Sequence, residues 1–267
     1  MNLSNVYLVA DVDGTILDTH SKLPAENLAA IDELREAGGK FTIATGRGAA
    51  MARETVKLLK ITEPVVIFNG AGVYDYRTEE FLWQSNMPEI AVDYLEIMAK
   101  NFPTCAAEVL IGRDVYVPWT NRREEHHLKL GLVTAIRESF ENTPKHGWLK
   151  SLVLDDPDVI EQMIEFVKEN KLDGVHWVRS SEPYYEMLPH GVNKGTGFKR
   201  LAQLTGDAGK FVVAMGDYDN DAELVATADL GVAVANARDC VLNVAKYISA
   251  DNDHTPVREV IEYIKRL

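Results

Sequence analysis

The chain has 267 residues, 46% of them hydrophobic, with 28 Lys and Arg against 41 Asp and Glu, a net charge of −13. That length holds one large domain or a core plus a second domain, and that hydrophobic share buries a proper core. The negative charge argues against non-specific binding to nucleic acid or an anionic membrane, and no run of about 18 apolar residues offers a membrane span.

Met1-Asn2-Leu3-Ser4-Asn5 has neither a basic region nor a small-residue cleavage site, so no signal peptide is expected and the expected localisation is cytoplasmic. Val6-Tyr7-Leu8-Val9-Ala10 reads as a buried parallel strand, and Asp11-Val12-Asp13-Gly14-Thr15 follows at its C-terminal end. In open α/β sheets that edge is where ligands bind. Pro24 opens a helix over 24–37, with Leu28, Ile31 and Leu34 on one face and Gly38-Gly39 ending it. A strand over 41–45, the turn Gly46-Arg47-Gly48 and a helix over 49–59 come next. A third buried strand, 65–68, ends at Asn69-Gly70-Ala71-Gly72. Near-continuous apolar strands between helices mean a parallel sheet covered on both faces.

The rhythm then changes. Residues 73–76 and 81–83 read as a hairpin and 88–102 as a helix. Strands over 149–154 and 176–179 are more polar and alternating, with a helix over 157–169 between them. The parallel pattern resumes with a helix over 194–204, a strand over 211–215, a helix over 219–228, strands over 230–234 and 247–249, and a last helix over 256–266. The expected fold is α/β: a doubly wound parallel sheet in a core of residues 1–84 and 188–267, interrupted by an α+β cap of residues 85–187. Cys105 and Cys240 lie far apart and form no C-x-x-C, as expected of idle thiols in a reducing compartment.

The predicted strand ends carry Asp11 and Asp13, then Thr45-Gly46, then Asn69-Gly70, then Gly216-Asp217. As neighbours in one parallel sheet, they meet in one crevice. Two carboxylates two residues apart can converge on one cation, one attacking while the other moves a proton, which suits phosphoryl transfer. A phosphate monoester repels carboxylates, so an acidic protein must supply local positive charge. Mg²⁺ takes hard oxygen ligands, and Asp11, the Asp13 backbone carbonyl and Asp217 are the expected ones. Asp221, one turn on, is placed to hold a metal-bound water or to orient Lys194. Asp11 is then the nucleophile, and Asp13 begins protonated, serves the leaving alcohol and next deprotonates water. The phosphoryl oxygens are offered the Thr45 hydroxyl, the Gly46 N–H, the Lys194 ammonium and the Asn220 amide.

Each residue type alone is unspecific. Asp-x-Asp is often a solvated turn, Thr45 an ordinary N-cap and Lys194 a surface lysine; their order, with Gly216-Asp217-Tyr218-Asp219-Asn220-Asp221 after a second strand, gives them weight. Gly46-x-Gly48-x-x-Met51 lacks the third glycine of a dinucleotide site, Asn193 replaces the glycine a P-loop needs before Lys194, and adjacent His126-His127 lacks a zinc spacing. The Trp and Tyr residues of the middle third read as core or lid surface, with one or two within reach of substrate, and Glu186 and Arg179 are lid candidates.

With these residues placed, the chain resembles the haloacid dehalogenase superfamily, and within it the Cof-like, type IIB hydrolases. Asp11-Val12-Asp13-Gly14-Thr15 is similar to the first motif, Thr45-Gly46-Arg47 to the second, Asn193-Lys194-Gly195 to the third and Gly216-Asp217-Tyr218-Asp219-Asn220-Asp221 to the fourth. The long insertion between the second and third resembles that subgroup's cap. The resemblance implies Asp11 as nucleophile, Asp13 as acid and base, Mg²⁺ on Asp11, Asp13 and Asp217, and phosphate contacts from the Val12 backbone, Thr45, Gly46, Lys194 and Asn220. Asp13 sorts the chemistry, since true dehalogenases lack this second carboxylate. The expected function is a Mg²⁺-dependent phosphatase that hydrolyses a small phosphorylated metabolite, a sugar phosphate, through an aspartyl-phosphate. The alternatives are a phosphosugar mutase and, from another class, a phospho-accepting receiver-like module. No nucleic acid, membrane or obligate protein partner is expected. The cap is expected to open and close on hinges near 83–88 and 186–190.

Overall fold

The computed structural model describes residues 1–131 and 134–267. In chain order, β1 (Val6–Ala10) leads to α1 (Ala25–Glu36), β2 (Lys40–Ile43), α2 (Ala49–Leu58), β3 (Val65–Ile67), β4 (Gly72–Asp75) and β5 (Glu80–Gln84). Then come α3 (Ile90–Asn101), β6 (Ala106–Ile111), β7 (Asp114–Trp119), α4 (Arg122–Gly131), β8 (Ile136–Arg137), β9 (Trp148–Leu154), α5 (Pro157–Glu169), β10 (Val175–Ser181) and β11 (Tyr184–Pro189). The last third holds α6 (Lys194–Thr205), β12 (Phe211–Gly216), α7 (Ala222–Thr227), β13 (Leu230–Val234), α8 (Asp239–Leu242), β14 (Tyr247–Ser249) and α9 (Pro256–Arg266). The chain divides into two units, one of Met1–Thr45, Arg53–Trp83 and Asn193–Leu267, the other of Gly46–Ala52 and Gln84–Val192.

The first unit is built on a parallel sheet in the order β14-β13-β12-β1-β2. Every residue of β1 and β13 is buried, as in strands covered on both faces. Tyr7 and Val9 of β1 share a cluster with Ala214 of β12, Phe198 and Leu201 of α6 and Leu224 of α7. In α9, Val257, Val260, Ile261 and Ile264 recur at helical spacing and are all buried, each stabilising the unit by about 1.5–3 kcal/mol. This helix packs on α1, whose buried face is Asn27, Ala30, Ile31 and Leu34, with Leu28 only half-buried. The strand order reverses between β1 and β12, so a crevice opens at their carboxyl ends.

Two expected elements differ in detail. Residues 65–68 were expected to join the parallel sheet; β3 touches it through one parallel bridge, Ala44 to Val66, and pairs antiparallel with β4. The expected helix over 219–228 is a 3₁₀ turn, Asp219–Asp221, followed by the short α7. The cause is the Asp221 carboxylate. Its Oδ2 accepts the backbone N–H groups of Asp217 and Tyr218, both at 3.1 Å, and winds the chain into a tight turn.

The second unit holds a sheet in the order β10-β11-β9-β6-β7-β8, antiparallel except for the β7–β8 pair. One face packs against α3 and α5 through Ala107, Val109, Val153, Tyr185, Leu95 and Ile160. In the alternate positions Leu152 pairs with Glu108 on one side and Glu186 on the other, so two buried glutamates flank a leucine on the opposite face.

Candidate active site

Asp11 stands where β1 ends. Its backbone N–H donates to the Met215 carbonyl on β12 at 3.0 Å, so strand pairing holds it at the sheet's edge. Past it the chain turns at once, with the N–H groups of Ile16 and Leu17 both 3.1 Å from the Val12 carbonyl. Gly14 (φ 76) makes the turn possible. A Cβ there would lie 2.6 Å from Asp217 Oδ2, so glycine lets that carboxylate rest against the backbone. Asp217 directly follows β12, and its Oδ1 accepts the Thr15 hydroxyl at 2.7 Å.

Lys194 opens α6, where Asn193 caps the helix: its Oδ1 accepts the Thr196 N–H, and the Thr196 hydroxyl accepts the Asn193 N–H. The lysine is 1% exposed. Its Nζ donates to Asp11 Oδ1 at 2.5 Å and to Asp221 Oδ1 at 2.7 Å. Asp11, Asp217 and Asp221 each turn a carboxylate oxygen to a common point, all within 4.8 Å of one another. Three carboxylates face one ammonium, so the cluster is short of positive charge. A hard divalent cation meets that need, and an all-oxygen donor set suits Mg²⁺.

The titration behaviour follows from this crowding. Burial pushes the Asp11 pKa well above the carboxylate range; Lys194 opposes the rise, while Asp221, Asp217 and Asp13 add to it. Burial and the Asp221 charge push Asp217 up to about 7, against the pull of Thr15 and Lys194. Burial disfavours the Lys194 ammonium, but Asp11 and Asp221 outweigh it and hold the pKa above the usual lysine range.

The remaining motif residues are placed as follows. Asp13 is exposed and outside the trio of carboxylates, yet its charge reaches both Asp11 and Asp217. Val12 is fully buried, and its carbonyl accepts the N–H groups of Ile16 and Leu17. Thr45 is buried, its N–H bonded to the Val66 carbonyl at 2.9 Å and its carbonyl accepting the Asn69 N–H at 3.0 Å. The Asn220 amide, also buried, donates to Asn69 Oδ1 at 2.9 Å. Gly46 belongs to the second unit, and its carbonyl accepts Lys150 Nζ at 2.9 Å.

In that second unit Glu186 is buried and accepts from Lys150 at 2.6 Å and from the Ser180 hydroxyl at 2.5 Å. Arg179 is spent on Glu161 and on the Glu182 carbonyl. His127 Nδ1 lies 2.7 Å from Glu108 Oε1, so its ring serves a buried carboxylate. Cys105 is buried and Cys240 exposed, and neither is in a disulfide. Sequence reasoning passed over Lys150, although a lysine between Leu149 and the Leu152-Val153-Leu154 run of a predicted strand is a visible signal. Among the described residues no helix is long and apolar enough to cross a membrane.

The profile of the haloacid dehalogenase-like hydrolases matches residues 8–261. Among curated proteins, the chain is 27% identical over 265 residues to the 5-amino-6-(5-phospho-D-ribitylamino)uracil phosphatase YcsE of Bacillus subtilis, covering 97% of this chain and 96% of that one. It is 26% identical over 271 residues to YitU, a phosphatase of the same name and organism, covering 96% of each. Two solved structures share the fold. One is a haloacid dehalogenase-like hydrolase from Bacteroides thetaiotaomicron, with a TM-score of 0.80, 22% identity and coverage of 97% of this chain and 98% of that one. The other is the subclass IIB sugar phosphatase BT4131, with a TM-score of 0.83, 20% identity and coverage of 98% and 99%.

Proposed function

The chain belongs to the haloacid dehalogenase-like hydrolase family, and from that premise we propose that it is a Mg²⁺-dependent phosphatase of a small phosphorylated metabolite, a sugar phosphate, working through an aspartyl-phosphate. The observation that carries this reading is Lys194, buried and shared between Asp11 and Asp221 at the open end of the parallel sheet. The phosphatase names of two full-length relatives support it. In this reading the core, 1–84 and 188–267, carries the reaction and the insertion, 85–187, selects the alcohol.

Asp11, Asp217 and the Asp13 backbone carbonyl would hold the cation, which supplies the positive charge that lets a phosphate dianion lie among carboxylates. Both Asp221 oxygens are engaged, one by Lys194 and one by two backbone N–H groups, which supports an orienting role for this residue. Lys194 offsets the charge of the phosphoryl oxygens, and Thr45, Gly46 and Asn220 donate hydrogen bonds to them. Asp11 attacks phosphorus, a new P–O bond forms, and the bond to the alcohol breaks. Asp13 gives its proton to the departing oxygen. The same carboxylate then takes a proton from the water that attacks the aspartyl-phosphate, which frees inorganic phosphate and restores Asp11.

The test is phosphate release from p-nitrophenyl phosphate and a panel of phosphorylated metabolites, with Mg²⁺ and with chelator. Asp11→Asn should lower turnover at least about 10³-fold, the scale expected on removing a nucleophile. Full activity in that variant would overturn the assigned reaction. Dependence on a sugar bisphosphate with little free phosphate released would mark a mutase instead.

A further inference from the structure

Asn69 lies outside the four motifs, yet two of their residues are tied to it and a third stands against its neighbour. It follows β3 in a turn where Phe68 (φ 53) and Asn69 (φ 52, ψ 33) both adopt the left-handed conformation. Asparagine tolerates that region, but a bulky phenylalanine there is an outlier that its surroundings must hold in place. Packing does so, since Phe68 is buried and stacks on Phe81, with ring centroids 6.4 Å apart. Gly70 (φ 104) lies so close to Asn193 that a Cβ would stand 2.0 Å from the Asn193 carbonyl, which seats the turn against the start of α6. The Asn69 N–H grips the Thr45 carbonyl, and its Oδ1 takes a hydrogen from Asn220 Nδ2. All these residues belong to the first unit.

The Asn220 amide shows what this contact achieves. An amide has a donor end and an acceptor end, and only the donor end suits a phosphoryl oxygen. Asn69 takes one of the two Nδ2 hydrogens and leaves the other to give. Asn220 Oδ1, meanwhile, is buried with no donor among the described residues. An unmet buried acceptor is unfavourable, so its own surroundings do not select this orientation. Turning the amide over would set Oδ1 against Asn69 Oδ1 and offer an acceptor where the donor now stands. We propose that Asn69 is a positioning residue for phosphoryl recognition, holding the Asn220 amide with its donor end presented and Thr45 in register with it. The proposal rests on the phosphatase reading, which assigns Asn220 and Thr45 to the phosphoryl group.

A double-mutant cycle tests it. Asn69→Gly keeps the left-handed backbone and deletes the amide, and Asn220→Ala deletes the partner. Inorganic phosphate is titrated into the Mg²⁺-loaded protein by calorimetry, and p-nitrophenyl phosphate kinetics are run beside it. Each single variant should weaken phosphate binding and raise KM about 10-fold, with kcat within about 3-fold in Asn69→Gly, and the double variant should bind phosphate at most about 2-fold worse than Asn220→Ala. A double variant about 100-fold weaker than the parent, or an Asn69→Gly protein that binds phosphate as the parent does, overturns the proposal. If the glycine variant does not fold, Asn69→Ser, whose hydroxyl is too short to reach Asn220, carries the same cycle. A parent protein that binds phosphate but releases it from no ester defeats the phosphatase reading and still reports the coupling; one that binds no phosphate defeats both.

Discussion

Asp217 connects the chemistry of single residues to the stability of the fold. Its pKa rises from 3.8 to about 7 on folding, because burial and the Asp221 charge disfavour the ionised form. A carboxyl that holds its proton more tightly when folded favours the folded state at low pH, and that contribution is lost as pH rises from 3.8 through about 7. In chelator, Asp217→Asn should therefore unfold at a higher temperature than the parent at pH 7.5 and gain little at pH 4. Excess Mg²⁺ should shrink the difference at pH 7.5, since a bound cation favours the ionised form. Thermal melts at the two pH values check this, and an equal difference at both would contradict it. The positions of Asp11 and Asp217 at strand ends were legible in the sequence, because an apolar run followed by carboxylates has one natural place in a parallel sheet. The link from Asn69 to Thr45 and Asn220 was not, because no residue pattern announces two successive left-handed residues or an amide facing one 151 positions away.

Elements were legible where one kind of force set them. The strands of the parallel sheet are apolar runs, and α9 has a buried face at strict helical spacing, so both stood out. Strands β6 and β7 were passed over because Glu108 and Pro118 interrupt their patterns and their pairing shifts register between Ala107 and Val109. The same sheet face contains the Lys150–Glu186 pair, with side chains 5% and 3% exposed. A buried ion pair is weak support for a fold, but half of one is a liability. Lys150→Met or Glu186→Leu alone should lower the stability of the second unit by about 3–5 kcal/mol, whereas the two together should come out near neutral. Urea unfolding followed by tryptophan fluorescence is suited to this, since Trp148 and Trp177 lie in β9 and β10. Losses that simply add in the double variant would show that the two charges do not depend on each other.

At the scale of the molecule, composition and order of elements were enough to read a parallel core and an inserted α+β unit, because the strand pattern itself changes between them. Pairing partners were less accessible: β1 lies between β2, about thirty residues on, and β12, about two hundred residues on. That distance has a consequence for how the protein is made. A ribosome that has delivered Asp11 has yet to synthesise Asp217 and Lys194, so the nascent chain carries this carboxylate long before the lysine that pairs with it. Until β12 emerges, one margin of β1 stands bare, with its backbone amides and carbonyls open to any passing strand. A chain stopped at residue 190 should bind no phosphate and should sediment as aggregate, while co-expressing residues 191–267 should return part of it to the soluble fraction. Timing during translation is thus written into the strand order, and slow codons or a waiting chaperone would matter most while that margin remains unclosed.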